Sequence, residues 1–315
     1  MLCYGIILIK TASGDLEESM KKTESLVEMN GKVFLHIWSP EGDAKHLLQI
    51  CHGMSEYLER YDGFAEEMVK KGFLVFGIDH PGHGKSDGDR GFFSKKNGWD
   101  YLVRCNIEAA RIIKSRNPGV KLTLLGHSMG SFVARTIAGY YSGTADDYIF
   151  MGTAGPNAAV GAGRAIASLL AWFNPKVKSE FLYSLSTKPY GSAEKSYKTE
   201  YDWLSRDESV VERYISDENC GFLFTRAGYR DLFTGLGLIA PKKWAPLLDR
   251  EKRYLLVSGD RDPVGDMGRG VTAVYDAMTA VGLDVQMKLY EGARHEILND
   301  FCRDEVISDI CDWIG

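Results

Sequence analysis

The chain has 315 residues, 44% of them hydrophobic and 26% charged, with a formal net charge of −5 at neutral pH. This is the profile of a soluble globular protein, and the acidic balance argues against nucleic acid or an anionic membrane as a nonspecific partner. No stretch approaches the roughly 18–20 apolar residues that span a bilayer.

Residues 1–22 read as a loosely attached N-terminal appendage, with Met20 as an alternative start. The apolar run 1–9 lacks a basic start and a small-residue cleavage site, so it is not read as a signal peptide. Runs 24–29 and 32–38 flank Asn30-Gly31, the strongest short hairpin signal. A strand over 46–51 leads into His52-Gly-Met54. A helix over 61–71 turns Phe64, Met68 and Val69 inward and is closed by Gly72. The continuous apolar run 73–78 has the character of a central parallel strand, and it opens into Asp79-His-Pro-Gly-His-Gly-Lys-Ser86. An amphipathic helix over 98–116 stops at Asn117-Pro-Gly119. Leu122, Leu124 and Leu125 then lead to Gly126-His-Ser-Met-Gly130, and a helix follows over 131–140. Another short strand covers 148–152.

Strand, helix and strand alternate, which gives an α/β class with a mostly parallel central sheet flanked by helices. Residues 153–248 break the alternation. They carry no clear strand, and helix-like segments at 158–173, 181–185 and 222–239 are rich in small, Phe, Leu and Tyr residues. The alternation returns with strand 254–258, helix 270–281, strand 284–290 and helix 297–314. The expected organisation is a core of 23–152 and 249–315 with a helical cap inserted over 153–248.

The chemistry centres on Ser128. Gly-x-Ser-x-Gly alone is a weak signal, but here it sits between an apolar strand and a helix. A serine on so sharp a turn needs small residues two positions either side, here Gly126 and Gly130, so that strand and helix can pass closely. A serine hydroxyl is a poor nucleophile until a base takes its proton, and the base needs an orienting acid; on such turns the chain order is Ser, acid, His. His295 is the one histidine downstream, on a glycine loop directly after strand 284–290. The acid belongs after strand 254–258, where Ser258-Gly-Asp-Arg-Asp-Pro-Val264 offers Asp262 first and Asp260 second, with Asp266 further on. The N–H groups of Met129 and Met54 are the expected oxyanion donors. His52, His80, His83 and His127 read as structural histidines, and Gly82 and Gly84 as a tight turn rather than a phosphate cradle. The six cysteines (3, 51, 105, 220, 302 and 311) form no Cys-x-x-Cys pair, so no metal site and no cofactor is expected, and the thiols fit a reducing, cytoplasmic compartment.

Together, Gly-His-Ser-Met-Gly, His-Gly-Met-Ser-Glu, Asp-His-Pro-Gly-His-Gly-Lys-Ser, Gly-Asp-Arg-Asp-Pro-Val and Gly-Ala-Arg-His-Glu resemble the serine hydrolases of the lysophospholipase and monoacylglycerol lipase type. These are α/β-hydrolases related to the serine aminopeptidase group. The resemblance covers 23–315 and implies a nucleophile at Ser128, an acid at Asp262, a base at His295 and oxyanion donors at Met54 and Met129. Asn219–Thr225 also resembles part of the cap of bacterial members, whereas residues 1–22 depart from the family. The expected substrate is a small lipid ester with its acyl chain under the apolar cap, through which transient membrane contact is also expected. Arg164, Arg226 and Arg230 are read as solvated cap residues. An aminopeptidase-like activity, for which Glu194, Glu200 or Glu208 would hold a free amine, is the first alternative, together with a general carboxylesterase. A non-catalytic ligand-binding member is the third reading.

Overall fold

The computed structural model describes residues 15–16, 20–29 and 31–315. Most of the expected appendage, and Asn30 of the expected hairpin, lie outside the described residues. The first half of the chain forms strands β1 (Asp15–Leu16), β2 (Met20–Glu28), β3 (Lys32–Pro40) and β4 (His46–Cys51), then helix α1 (Asp62–Lys70), β5 (Phe73–Ile78), α2 (Gly98–Arg116), β6 (Leu122–His127), α3 (Met129–Tyr140) and β7 (Asp147–Met151). Five helices follow: α4 (Val160–Phe173), α5 (Glu180–Ser186), α6 (Glu208–Ser216), α7 (Arg226–Leu238) and α8 (Pro241–Trp244). The chain ends with β8 (Arg253–Gly259), α9 (Arg269–Thr279), β9 (Asp284–Tyr290) and α10 (Arg303–Ile314).

The strands form one sheet in the order β1-β2-β3-β5-β4-β6-β7-β8-β9. The pairs β1–β2, β2–β3 and β3–β5 are antiparallel, and all pairs from β5 to β9 are parallel. Strand β2 starts at Met20 rather than at 24, because its pairing with β3 runs out to Met20↔Pro40.

Successive residues of the parallel strands serve opposite faces. Leu48, Ile50, Leu125, Ile149, Leu255 and Val257 pack with residues of α1 and α10. Leu47, Leu124, Tyr148, Phe150, Tyr254 and Leu256 pack with residues of α2, α3 and α9. Both sets are buried, which is why these strands are mostly apolar on both faces rather than alternating, with Gln49 and Thr123 as buried polar exceptions. Each such side chain contributes about 1.5–3 kcal/mol on burial.

Parallel pairing also brings the carboxyl ends of β4, β5, β6, β7, β8 and β9 to one edge of the sheet, the edge at which α/β sheets bind ligands. Between β7 and β8 the described residues add no strand to the sheet; one isolated bridge joins Lys178 and Thr225. Helix α6 is an element that the sequence patterns above do not single out. The Asp207 carboxylate accepts the Ser209 N–H at 2.9 Å to start it, and Val210, Val211 and Tyr214 form its buried face.

The expected helix over 297–314 is broken. A single 3-10 turn covers Ile297–Asn299, and Asp300 is extended (φ −117, ψ 173) before α10 begins. The cause is the buried Asp300 carboxylate. It accepts the Arg206 backbone N–H at 3.1 Å, Arg206 Nε at 2.6 Å and the Arg294 N–H at 3.2 Å, which ties it to the chain on either side instead of to a helix.

Candidate active site

Ser128 ends the turn from β6 into α3 with φ +54 and ψ −122, a region that costs a non-glycine residue of order 1–3 kcal/mol. The surroundings hold it there. A Cβ at Gly126 would lie 2.2 Å from the Gly130 oxygen, and one at Gly130 would lie 1.9 Å from the Cys51 oxygen, so both positions require glycine. The Ser128 N–H donates to Met151 O at 3.0 Å, and Ser128 O accepts the Ser131 N–H at 2.8 Å. Ser128 is partly exposed between buried neighbours. Met129 is the first residue of α3, so its N–H has no acceptor within the helix.

The loop after β4 runs alongside. A Cβ on Gly53 would be 3.1 Å from Cβ of Ser128, so the backbone approaches as closely as glycine permits. The Gly53 N–H donates to Glu56 Oε1 at 2.5 Å, and the Ser55 N–H donates to His83 Nε2 at 3.3 Å. Met54, between these two committed N–H groups, lines the cavity beside Ser128.

His295, on the loop after β9, is 1% exposed. Its Nδ1–H donates to Asp262 Oδ2 at 2.8 Å, which fixes the tautomer and leaves Nε2 as the basic nitrogen. Nε2 is buried and has no hydrogen-bond partner in the protein. Asp262 is fully buried, and it accepts the Ser258 hydroxyl at 3.2 Å and the Val264 N–H at 2.9 Å. Asp260 does something else: its carboxylate accepts the Gly292 N–H at 2.8 Å and shapes the loop that leads to His295. Asp266 is exposed and pairs with Arg269 at 2.6 Å. An imidazole held at Nδ1 by a buried carboxylate, with Nε2 unpartnered in a cavity shared with a serine, is equipped to take a hydroxyl proton.

His52, His80 and His83 form a neutral buried cluster. The His80 N–H donates to His52 Nε2 at 2.9 Å, His80 Nε2–H donates to His52 O at 3.0 Å, and the two rings stack at 3.8 Å. Burial lowers the pKa of His80 to about 4 and that of His83 to about 3. These side chains build the loop that bears Met54.

His127 differs from them and belongs to a charged cluster that the sequence reading missed. It donates from Nε2 to His295 O at 3.3 Å and from Nδ1 to Glu56 Oε1 at 3.2 Å. Glu56 Oε2 accepts Arg60 Nη1–H at 2.8 Å, and Arg60 grips both oxygens of Glu296 at 2.7 Å. Burial opposes charge on His127, but the hydrogen bond and charge of Glu56, with Glu296 behind it, outweigh burial and raise its pKa. Burial likewise opposes charge on Glu56, yet His127 and Arg60 hold its carboxyl well below the usual range. The i,i+4 spacing of Glu56 and Arg60, and the acid directly after His295, were the available signals.

The cavity over Ser128 and His295 measures about 850 Å³, and most of its other walls come from segment 153–248, including Leu182, Tyr190, Trp203, Phe222 and Phe233. This segment also braces the histidine loop: the His295 N–H donates to Trp203 O at 3.3 Å and the Glu296 N–H donates to Leu204 O at 2.7 Å. Arg164, Arg226 and Arg230 are not among the lining residues, and neither are Glu194, Glu200 and Glu208. Among the described residues no His, Cys, Asp and Glu group has the arrangement of a metal site, and no helix is long and apolar enough to cross a membrane.

A family model described as serine aminopeptidase, S33, matches residues 42–301. The chain belongs to this family. It is 27% identical to a monoacylglycerol lipase of Mycolicibacterium smegmatis over 94% of this chain and 98% of that relative. It is 29% identical to the monoglyceride lipase of Homo sapiens over 92% of this chain and 89% of that relative. Among solved structures, a thermostable carboxyl esterase from Bacillus coagulans in complex with glycerol superposes with a TM-score of 0.87 at 25% identity, covering 95% of this chain and 98% of that one. The fold is that of the α/β-hydrolases, and the chain is a lipase-type hydrolase of the S33 family.

Proposed function

We propose that the protein hydrolyses carboxylic esters of fatty-acyl lipids, monoacylglycerols foremost, through an acyl-enzyme on Ser128. The observation that carries this reading is the unpartnered, buried Nε2 of His295, backed at Nδ1 by Asp262 and sharing the cavity with Ser128. Residues 153–248 act as the cap over that cavity.

In the first half-reaction His295 Nε2 takes the Ser128 hydroxyl proton as Oγ bonds to the acyl carbon, and buried Asp262 stabilises the resulting imidazolium. The carbonyl oxygen gains the negative charge, and the N–H groups of Met54 and Met129 receive it. The imidazolium then protonates the departing alcohol oxygen as the ester bond breaks. In the second half a water takes the alcohol's place, His295 accepts its proton, and the acid leaves as Ser128 regains its hydrogen.

The apolar lining favours an acyl chain, since each buried methylene contributes about 0.8 kcal/mol. The names of the relatives favour monoacylglycerols. The acidic lining groups favour an ester over a substrate with a free amine: Glu56 and Glu296 are both bound to Arg60, and Asp266 to Arg269, so none is left to hold an ammonium. Trp172 is 80% exposed and Phe173 76%, at the end of α4, which supports transient contact of the cap with a lipid surface. The cysteines at 51, 105, 220, 302 and 311 are free thiols, in keeping with a cytoplasmic location.

The deciding experiment compares wild type and Ser128→Ala on a monoacylglycerol, a lysophosphatidylcholine, p-nitrophenyl butyrate and an aminoacyl anilide. The monoacylglycerol is expected to be cleaved best and Ser128→Ala to be inactive. Wild-type turnover in the serine variant, or a preference for the anilide, rejects the reading.

A further inference from the structure

The reaction above makes no use of Arg135, yet Arg135 is among the largest fully buried side chains of the protein. It lies on α3, the helix that starts directly after Ser128. Its Nη1 donates to Thr153 Oγ1 at 3.2 Å and to Ala154 O at 2.9 Å, and its Nη2 donates to Ile239 O at 2.7 Å. The guanidinium lies over the Trp244 ring, 4.4 Å from the centroid, and the Trp244 indole N–H donates back to Arg135 O at 2.7 Å. Among the described residues no carboxylate pairs with it, and burial pulls its pKa down to about 9. An unpaired cation is costly to bury, and an apolar side chain of similar volume would fill the space more cheaply. A role limited to packing therefore does not account for it.

What the cation holds is specific. Thr153 and Ala154 form the entry stem of the cap, directly after β7 and Gly152, and Ile239 opens its return stem, directly after α7 and ahead of α8. At both points the chain leaves regular structure and its carbonyls need donors. Both stems also lead into cavity walls: Ala154 and Val160 on the entry side, Leu232, Phe233 and Leu236 on the exit side. A single planar group with diverging donors thus ties both stems of the cap to the helix that starts after Ser128.

We propose that Arg135 is a positioning residue that sets the depth of the acyl-chain cavity, and so the chain lengths accepted, by fixing both cap stems relative to Ser128. This rests on the lipid-ester reading. It predicts that loss of Arg135 affects substrates according to how much of the cap they touch, while the chemistry at Ser128 is kept.

The test measures kcat and KM for p-nitrophenyl acetate and p-nitrophenyl dodecanoate with wild type, Arg135→Met, Arg135→Lys and Thr153→Val, with circular dichroism to confirm folding. For Arg135→Met, kcat/KM for the dodecanoate is expected to fall at least tenfold, mainly through KM, while acetate turnover stays within about threefold. Arg135→Lys should recover part of the loss, and Thr153→Val should show a smaller loss in the same direction. An equal fall on both esters, or an unchanged dodecanoate-to-acetate ratio, overturns the proposal. Should Arg135→Met not fold, the ratio in the other two variants decides in the same way. Failure of the wild type to cleave either ester, or activity surviving in Ser128→Ala, would instead sink the hydrolase reading beneath it.

Discussion

Arg60 holds Glu296 by two parallel hydrogen bonds of 2.7 Å, and Glu296 is the residue next to His295. The same guanidinium reaches Glu56 at 2.8 Å, and Glu56 in turn binds the Gly53 N–H next to Met54. One cation thus spans the loop proposed to receive the oxyanion and the loop proposed to carry the base. It also lies 4.9 Å from the ring of Tyr214, on α6. Arg60→Met would leave the buried Glu296 carboxylate without its counter-charge and Glu56 with His127 alone. We expect a loss of about 3–5 kcal/mol in urea denaturation. Glu296→Gln, which keeps the shape and removes one charge, should cost less than half as much. An unshifted midpoint for Arg60→Met would show that the clamp carries no weight.

Ser128 separates strain from chemistry. Its φ of +54 suits glycine better than serine. Ser128→Gly should abolish turnover and raise stability by about 1 kcal/mol as strain is released. Ser128→Ala should abolish turnover with no such gain. Thermal melts of the two variants side by side check this, and equal melting temperatures would count against strain at the turn.

The two aspartates after β8 should differ sharply. Asp262→Asn keeps the shape but no longer enforces the proton on Nδ1 of His295, and kcat on p-nitrophenyl butyrate should fall about 10³–10⁴-fold. Asp260→Asn can still accept the Gly292 N–H and should cost less than tenfold. Losses of similar size would mean that the acid has been assigned to the wrong side chain.

Stability should decline in mild acid. Burial lowers the pKa of His52, of His80 to about 4 and of His83 to about 3, all from 6.5. The unfolded chain therefore binds these protons first. The stability they represent is complete above about pH 6.5 and drains away as pH falls toward the folded values. His127 has the opposite sign, its contribution being present at low pH and fading as pH rises through its raised folded value. Asp79, lowered to about 2 against burial by its hydrogen bond and charge contact with His36, begins to matter only below 3.8. Urea denaturation at pH 8, 6 and 5 should show the fall. His83→Gln, which can still accept the Ser55 N–H, should flatten the slope below about pH 6 by up to about 1.4 kcal/mol per pH unit. A wild-type profile that is level between pH 8 and 5 would refute the account.

Contact with a lipid surface is testable at the end of α4. Trp172→Ser combined with Phe173→Ser should reduce co-sedimentation with phosphatidylcholine vesicles several-fold while leaving turnover of a dissolved short ester unchanged. Undiminished co-sedimentation would remove this face from the reading.

The sheet was legible because two-sided burial leaves unbroken runs such as 73–78 and 148–151, and the turns because Gly126, Gly130 and Gly72 have no substitutes at their close approaches or positive φ. The meeting of Ser128, His295 and Asp262 at one sheet edge was legible because each directly follows or lies just beyond a strand of that parallel sheet. The Glu56, Arg60, Glu296 and His127 cluster was not, because its members come from distant parts of the chain and only the fold brings them together. The break at Asp300 was hidden for a similar reason: residues 297–314 have helical periodicity, and the competing partners, Arg206 and Arg294, lie outside that window. Arg135 stands with Ser131 and Thr136 on an otherwise apolar helix, and nothing local in the sequence says that it is buried.

The hydrogen bonds from His295 and Glu296 to the carbonyls of Trp203 and Leu204 have a consequence for recombination between relatives. The segment 153–248, proposed to cap the cavity, would be the unit to exchange for a different selectivity. Here the strip at 203–204 serves the wall and the histidine loop at once, so a chimera joined at the stems would import a foreign backrest for its own imidazole. Productive exchanges would transfer α4 and α5 alone, or carry the loop 291–300 along with the whole insertion.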